Sequence, residues 1–340
     1  MGEEQYKWMV CVRCMTYNQA SYIVDAMNGF TMQQTTFPYV CAIVDDASTD
    51  GEPDVIRKYL DEHFNLDDQM IARHEETDDY VMTFAQHKEN RNCHFAVYFL
   101  KYNHYGKKRK EPYYECFLKS ARYFASCEGD DYWTESRKLQ MQYDYLESHP
   151  EVVLSCHRWS ILDLKTNSLY QAKNVYFDSK KHWKEKSFEF DLNFYLNTWV
   201  TKTLTCMVRA SAVKKDYYKG YKYARDVHYY YYIMAEGRGV CHAFNGGIYR
   251  KNVPTSIYGN LDRVSQQSIN CKVYEEIAMV TQDPLVRKAA QKMIVIDCIN
   301  RLKSVGGGYF VVTTMLNKIY NYIDFIKRVF RHHVPPISSR

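Results

Sequence analysis

Five carboxylates stand where a chain of alternating strands and helices would expose them. Asp45 and Asp46 follow the apolar run Tyr39 to Val44, and Glu128, Asp130 and Asp131 follow a second run, Arg122 to Cys127. Like charges in adjoining loops repel and raise one another's proton affinity unless a cation is bound. If both loops open on one edge of a parallel sheet, a divalent metal carrying a phosphorylated ligand neutralises them. The same residues also read as an acidic turn capping a helix, with Thr134 and Glu135 following. Spacing leaves the two readings open. Cys11-x-x-Cys14 lies within the strand-like run Trp8 to Met15, where positions three apart face opposite sides. Neither Cys93-His94 nor His332-His333 supplies the second ligand pair that zinc would need. No Gly-x-Gly-x-x-Gly follows the first apolar run and no Gly-x-x-x-x-Gly-Lys-Ser/Thr occurs, so dehydrogenase and P-loop readings fall away.

The elements that must position these acids follow from periodicity. Lys7 to Met15 reads as a buried strand closed by Thr16-Tyr17-Asn18. From Ser21, the residues Tyr22, Ile23, Ala26, Met27 and Phe30 recur at helical spacing up to Phe37-Pro38. Tyr39 to Val44 is a second strand. Val55, Ile56, Tyr59, Leu60 and Phe64 mark a helix after Gly51, and Met70 to Ala72 reads as a third strand. Glu75 to Pro112 is polar apart from Ala96 to Leu100 and reads as a long surface excursion. A helix at Tyr114 to Ser120, a strand at Arg122 to Cys127, a helix through Leu139 to Leu146 and a strand at Val152 to Cys156 follow. Beyond them come a strand at Leu204 to Val208, a helix over Val227 to Ala235, and helical pattern from Asp283. The alternation predicts an α/β fold with right-handed crossovers and a mostly parallel central sheet flanked by helices, with ligands bound beyond the carboxyl ends of the strands.

Composition sets the outer limits. The chain has 340 residues, 46% hydrophobic and 25% charged, with 32 tyrosines, as expected of a packed globular protein with many half-wet faces. A net charge of +5 spread over 45 basic and 40 acidic residues gives no arm of one sign, so nucleic-acid binding is not expected. Lys107 to Lys110 reads as a solvated loop. The opening MGEEQYKWMV has no export signal, and the 11 cysteines are irregularly spaced, which predicts reduced thiols and a cytoplasmic location. Apolar runs fall short of the roughly 18 residues that span a bilayer. Val312, Met315, Leu316, Ile319, Ile323, Ile326 and Phe330 form an apolar stripe beside Lys318, Lys327, Arg328 and Arg331. This reads as packing, or as a basic amphipathic helix on the inner face of the membrane.

Three ordered segments carry a resemblance. Met15-Thr16-Tyr17-Asn18, Ile43-Val44-Asp45-Asp46-Ala47-Ser48-Thr49-Asp50-Gly51 and Cys127-Glu128-Gly129-Asp130-Asp131-Tyr132-Trp133 resemble bacterial family 2 glycosyltransferases over roughly residues 8 to 250. These are inverting enzymes of the GT-A fold, and the chain is similar to members that build cell-surface polysaccharides. The resemblance implies a GT-A domain over 5–255 and leaves 256–340 as a helical extension, possibly membrane-associating. It implies that Thr16, Tyr17 and Asn18 line the nucleotide pocket, that Asp45 and Asp46 hold base and ribose, and that Ser48 and Asp50 shape the turn. Asp130, with Glu128 in place of the family's first aspartate, would bind Mg²⁺ or Mn²⁺ bridging the diphosphate.

An inverting transfer needs a base to take the proton of the acceptor hydroxyl, and Asp226 in Arg225-Asp226-Val227-His228 matches the family's acid, although Asp there also suits a helix N-cap. Thr203 and Thr205 resemble the acceptor-facing segment, and alternating threonines also suit a strand. Asp131, Trp133 and Trp199 are candidates for the sugar faces; either tryptophan serves equally well as core. The expected activity is transfer from a nucleotide sugar, UDP foremost, to a saccharide or lipid-linked saccharide. The rivals are a sugar-nucleotidyltransferase, which would open with a Gly-rich basic loop, and a degenerate module that binds a nucleotide sugar without turnover.

Overall fold

The computed structural model describes residues 6–108, 110–198, 200–213, 226–255 and 263–304. The chain forms two compact units, Met1–Lys215 with Tyr232–Asn260, and Asp216–Tyr231 with Leu261–Arg340.

The first unit opens with β1 (Trp8–Thr16), α1 (Ile23–Thr31), β2 (Tyr39–Asp45) and α2 (Glu52–His63). β1 and β2 are runs of Val, Cys, Ile and Met with few polar breaks, as strands covered on both faces must be. Gly51 takes φ 90° to turn the chain into α2, which then has Pro53 in its first turn beside Glu52 and Asp54. β3 (Arg73–Glu76), β4 (Tyr80–Gln86) and β5 (Cys93–Leu100) follow, then α3 (Glu111–Lys119), β6 (Ala121–Ser126), β7 (Tyr132–Trp133) and α4 (Lys138–Ser148). β8 (Val152–Asp163), β9 (Ser168–Gln171), β10 (Ser187–Phe190), α5 (Leu192–Asn197) and β11 (Met207–Arg209) lead to α6 (Asp226–Ala235) and β12 (Arg238–Lys251).

Among the described residues these strands form one sheet in the order β10-β12-β8-β11-β6-β1-β2-β5-β4-β3, with β7 on β12 and β9 on β8. Its centre, β6-β1-β2-β5, is parallel throughout. Alternate residues of these strands, Val10, Val12 and Cys14 with Tyr39, Cys41 and Ile43, bury against Ile23, Met27 and Phe30 of α1 and Ile56 and Leu60 of α2. α3 packs against β1, β2 and β6. The α/β class and the helix-flanked central sheet expected from the sequence are those observed.

Three local expectations change. Residues 69–71 are a turn, and the third parallel strand is β5, every residue of which is buried. The polar stretch over 75–112 is therefore not an excursion: β3 and β4 form a hairpin that extends the sheet edge beside β5. Polar flanks had masked β5, whose own residues are apolar. Thr203–Thr205 is a single 3-10 turn rather than part of a strand.

In the second unit, α7 (Arg263–Val280) packs on α8 (Pro284–Ser304) through Val273, Ile277, Val286, Ala290 and Ile294. Asp283 turns the chain between them by accepting from the backbone N–H groups of Leu285 and Val286 at 2.9 and 3.2 Å. The apolar stripe from Val312 to Phe330 lies outside the described residues. Among the described residues no helix is long and apolar enough to cross a membrane.

Candidate functional site

Chain order reverses at one place in the parallel centre. The path runs outward from β1 to β2 and β5, then returns to place β6 on the other side of β1. Loops leaving β1 and β6 diverge there and open a crevice at their carboxyl ends, the usual ligand position in such sheets. The first and third motifs are those two loops, and the second is the neighbouring loop after β2.

Side chains lock the three loops together. Glu52, fully buried at the start of α2, accepts from the Thr16 hydroxyl, from Gln19 N at 2.8 Å and from Ser48 Oγ at 2.9 Å. Ser48 Oγ accepts from Asn18 N at 2.8 Å, and Asn18 Oδ1 accepts from Thr49 N at 2.8 Å. Asp50 accepts from Ala20 N at 2.9 Å. Asn18 and Ala47 adopt positive φ, 53° and 61°, to make these turns. Burial raises the Glu52 carboxyl above its ordinary value, opposed by the bonds from Thr16, Gln19 and Ser48. The β6 loop joins through Gly129, whose N–H donates to Met15 O at 3.1 Å. A Cβ on Gly129 would stand 2.4 Å from Thr16 Oγ1 and 2.6 Å from Gln19 Oε1, so only glycine allows this approach.

The acidic turn is held from two sides. Arg13, on β1, pairs with Glu128 at 2.7 Å, and Met15 N donates to the other Glu128 oxygen at 3.3 Å. Arg250, near the end of β12, donates to Asp130 O at 2.9 Å and to Asp25, and its own N–H donates to Asp131 Oδ1 at 2.8 Å. The guanidinium lies over the rings of Tyr22 and Tyr132, 5.0 and 4.5 Å from their centroids. Asp130 is half-buried, and among the described residues no side chain pairs with its carboxylate. Burial, then the charge of Glu128, push its pKa up to about 6.

Asp45 and Asp46 are both buried. Asp45 accepts from Ser48 N at 3.3 Å, and burial raises its pKa to about 6. Asp46 accepts from His104 N at 2.7 Å and pairs with Lys110 Nζ at 2.5 Å. Lys110 is thus a partly buried, paired residue, whereas Lys107 and Lys108 stay exposed in a turn as the loop reading expects, Lys108 pairing with Asp79 at 2.5 Å. The polar segment after β5 folds back on the β2 loop. Tyr17 is exposed beside these groups.

None of the five acids caps the helix after its loop, although Asp50 Oδ1 accepts from Glu52 N at 3.1 Å at the start of α2. α2 begins at Gly51 and α4 at Arg137, both without a side-chain cap.

Three of the expected positions, Trp133, Asp131 and Thr205, are buried. Trp133 is 2% exposed, donates from Nε1 to Leu204 O at 2.8 Å and carries Lys138 over its ring, so it is core and not a stacking face for sugar. Asp131 is buried with its carboxylate turned to Arg250 N, and Thr205 is fully buried with its hydroxyl bonded to Lys202 O at 2.8 Å. Thr203 stands half-buried in the same 3-10 turn. Asp226 is the first residue of α6 and falls in the second unit; its side chain, and Trp199, lie outside the described residues. Glu52, Arg13 and Arg250 were not anticipated. The one signal in the sequence was for Glu52, an acid directly after the Asp50-Gly51 turn.

Among the described residues no group of three or more His, Cys, Asp or Glu could hold a metal ion. What the site offers is one open carboxylate, Asp130. That suits Mg²⁺ or Mn²⁺ bound through a single carboxylate together with substrate phosphates, and not a cation caged by protein alone. Glu128 is already neutralised by Arg13.

No family model matches the chain. Uncharacterized proteins of Mycobacterium tuberculosis and Mycobacterium bovis are 34% identical to it over 145 residues, which is 42% of this chain and 33% of theirs. The match thus spans about a third of the length of these curated relatives. Among solved structures, residues 1–349 of S. aureus TarS in complex with UDP superpose with a TM-score of 0.53 at 15% identity, covering 87% of this chain and 72% of that one. A second crystal structure of the same TarS segment gives 0.52 at 16% identity. The chain shares its fold with TarS.

Proposed function

We propose that the chain is an inverting glycosyltransferase of the family 2, GT-A type, transferring a sugar from a nucleotide-sugar donor, UDP-sugar foremost, to a saccharide or lipid-linked saccharide acceptor. One observation carries this reading. At the switch point, three loops are fastened by Glu52 and Gly129 into a constellation in which, among the described residues, Asp130 alone of the five acids has no bond to its carboxylate from another residue. A shared fold with a protein solved with UDP supports it.

In this reading Thr16, Tyr17 and Asn18 border the nucleotide, the Asp45–Asp50 turn holds base and ribose, and Asp130 holds Mg²⁺ or Mn²⁺. Such an ion supplies positive charge against the leaving nucleoside diphosphate. Gly129 and Arg250 fix the backbone of the turn that presents Asp130, so its carboxylate meets the ligand without reorganising. Asp226 takes the proton of the attacking hydroxyl.

Thermal unfolding with UDP, GDP, CDP or dTDP, each with and without Mn²⁺, tests the donor site. Ligand at about 100 times its Kd adds about 2.7 kcal/mol to the folded state. Metal-dependent stabilisation by one diphosphate, lost in Asp130→Ala, is expected. Folded protein indifferent to every nucleotide would refute the donor site. Asp226→Asn is expected to abolish transfer and keep nucleotide stabilisation; surviving transfer would place the base elsewhere.

A further inference from the structure

The segment from Leu164 to Lys186 is a one-sided, basic stretch of sequence. It carries Lys165, Lys173, Lys180, Lys181, Lys184 and Lys186, all exposed, against two acids, Asp178 and Glu185. Both acids are already engaged. Asp178 pairs with Arg158 at 2.5 Å, and Glu185 is held by His182 and by the Tyr176 hydroxyl, each at 2.5 Å. No ion pair reaches the six lysines among the described residues. Between them the surface shows large apolar groups: Trp183 is 67% exposed, Val175 75% and Leu169 61%.

These groups are not loose. Phe177 is buried, Tyr176 stacks on Phe188 at 3.9 Å and on His182 at 4.1 Å, and β9 is bonded to β8. Trp183 and Val175 thus stand exposed next to packed neighbours, His182 and Tyr176, with Lys184 Nζ 4.7 Å from the Trp183 ring centroid.

We propose that this face docks on an anionic lipid surface, with Trp183, Val175 and Leu169 entering the headgroup layer and the lysines meeting lipid phosphates. Indole suits the polar–apolar boundary, and lysine stems lie along apolar surface while the ammonium stays wet. Lysines near an anionic leaflet add to binding roughly independently. Aliphatic Val175 and Leu169 favour lipid over a nucleic acid, whose bases need aromatic partners and whose phosphates need only charge. The inference is independent of the donor site, because vesicle binding and nucleotide stabilisation are read separately.

The test is co-sedimentation of the full chain with phosphatidylcholine vesicles, alone or containing phosphatidylglycerol, and with poly(U) as a soluble polyanion. Binding to the anionic vesicles only is expected, falling at least about tenfold in Lys180→Glu/Lys181→Glu/Lys184→Glu. Trp8, Trp133 and Trp159 are buried. Trp199 lies outside the described residues. A blue shift of tryptophan emission on binding is expected from the exposed Trp183, and its loss in Trp183→Phe assigns it; a shift that persists in that variant would overturn the entry of Trp183. The triple variant's circular dichroism is compared with wild type to confirm folding. Equal binding to neutral vesicles, a folded triple variant that binds like wild type, or poly(U) binding as tight as vesicle binding would each overturn the proposal.

Discussion

Asp130→Asn separates what the crevice costs the fold from what it does for a ligand. Burial and the charge of Glu128 raise the Asp130 carboxyl from its ordinary 3.8 to about 6. A group whose folded pKa lies above its unfolded one holds its proton more tightly in the fold. Its contribution to stability is therefore fully present below about pH 4 and is lost as pH rises to about 6. At 1.36 kcal/mol per tenfold the loss is at most about 3 kcal/mol, and water at this half-buried carboxylate brings it to about 1–2 kcal/mol. In urea unfolding at pH 7 without ligand, Asp130→Asn is expected to exceed wild type by that amount, and the two should converge below about pH 4. Adding UDP and Mn²⁺ at pH 7 should reverse the order, since only wild type can use the charge. An Asn variant no more stable than wild type at pH 7 would refute the placement of a carboxylate held above its ordinary pKa at this position.

Gly129→Ala is expected to destabilise by about 1–3 kcal/mol, because the new methyl meets Thr16 and Gln19 at 2.4 and 2.6 Å and the buried Thr16 has no room to retreat. A denaturation midpoint equal to wild type would show that the β1 and β6 loops do not touch. Arg250→Lys keeps the charge and loses the fork that reaches both Asp25 and Asp130 O. Metal-dependent stabilisation by nucleotide is expected to weaken more than the ligand-free midpoint falls, and an equal loss in both would make Arg250 a packing residue only.

The sequence disclosed what run length and local turns determine. β1, α1, β2 and α2 were legible because each is an uninterrupted apolar run or a full helical stripe, ended by Asn18, Pro38, Asp45 or Gly51. β5 was legible only over its second half, since its first residues, Cys93 and His94, abut the polar Glu89 to Asn92. Met70 to Ala72 misled because three apolar residues make no statement of period, and Thr203 to Thr205 because alternation over three residues fits a turn as well as a strand. The motif residues of the crevice were legible by local pattern, and their fastening was not. Glu52 meets Thr16 across 36 positions and Arg250 meets Asp25 across 225, distances over which only the folded sheet brings them together. For the same reason the sequence could not tell which tryptophan or aspartate faces inward.

The five acids that opened two readings in the sequence are explained by neither in its simple form. They do not cap α2 or α4, and they are not a cage of equal ligands. Glu128 is neutralised by Arg13 and Asp46 by Lys110, Asp131 accepts from the Arg250 backbone, and Asp45 from Ser48. Each of these bonds fixes a loop, and among the described residues they leave the Asp130 carboxylate without a side-chain partner, eased only by its own backbone N–H and the nearby charge of Arg250, while burial and Glu128 raise its pKa. Had the crevice served folding alone, a neutral side chain at position 130 would be the more stable choice by the sign worked out above. An acid held there by two arginines and a glycine contact is what a site for a cation-bearing ligand requires. Under the proposed function the cost falls on the free protein and a bound cation would relieve it, so part of that ligand's affinity would be stored in the turn.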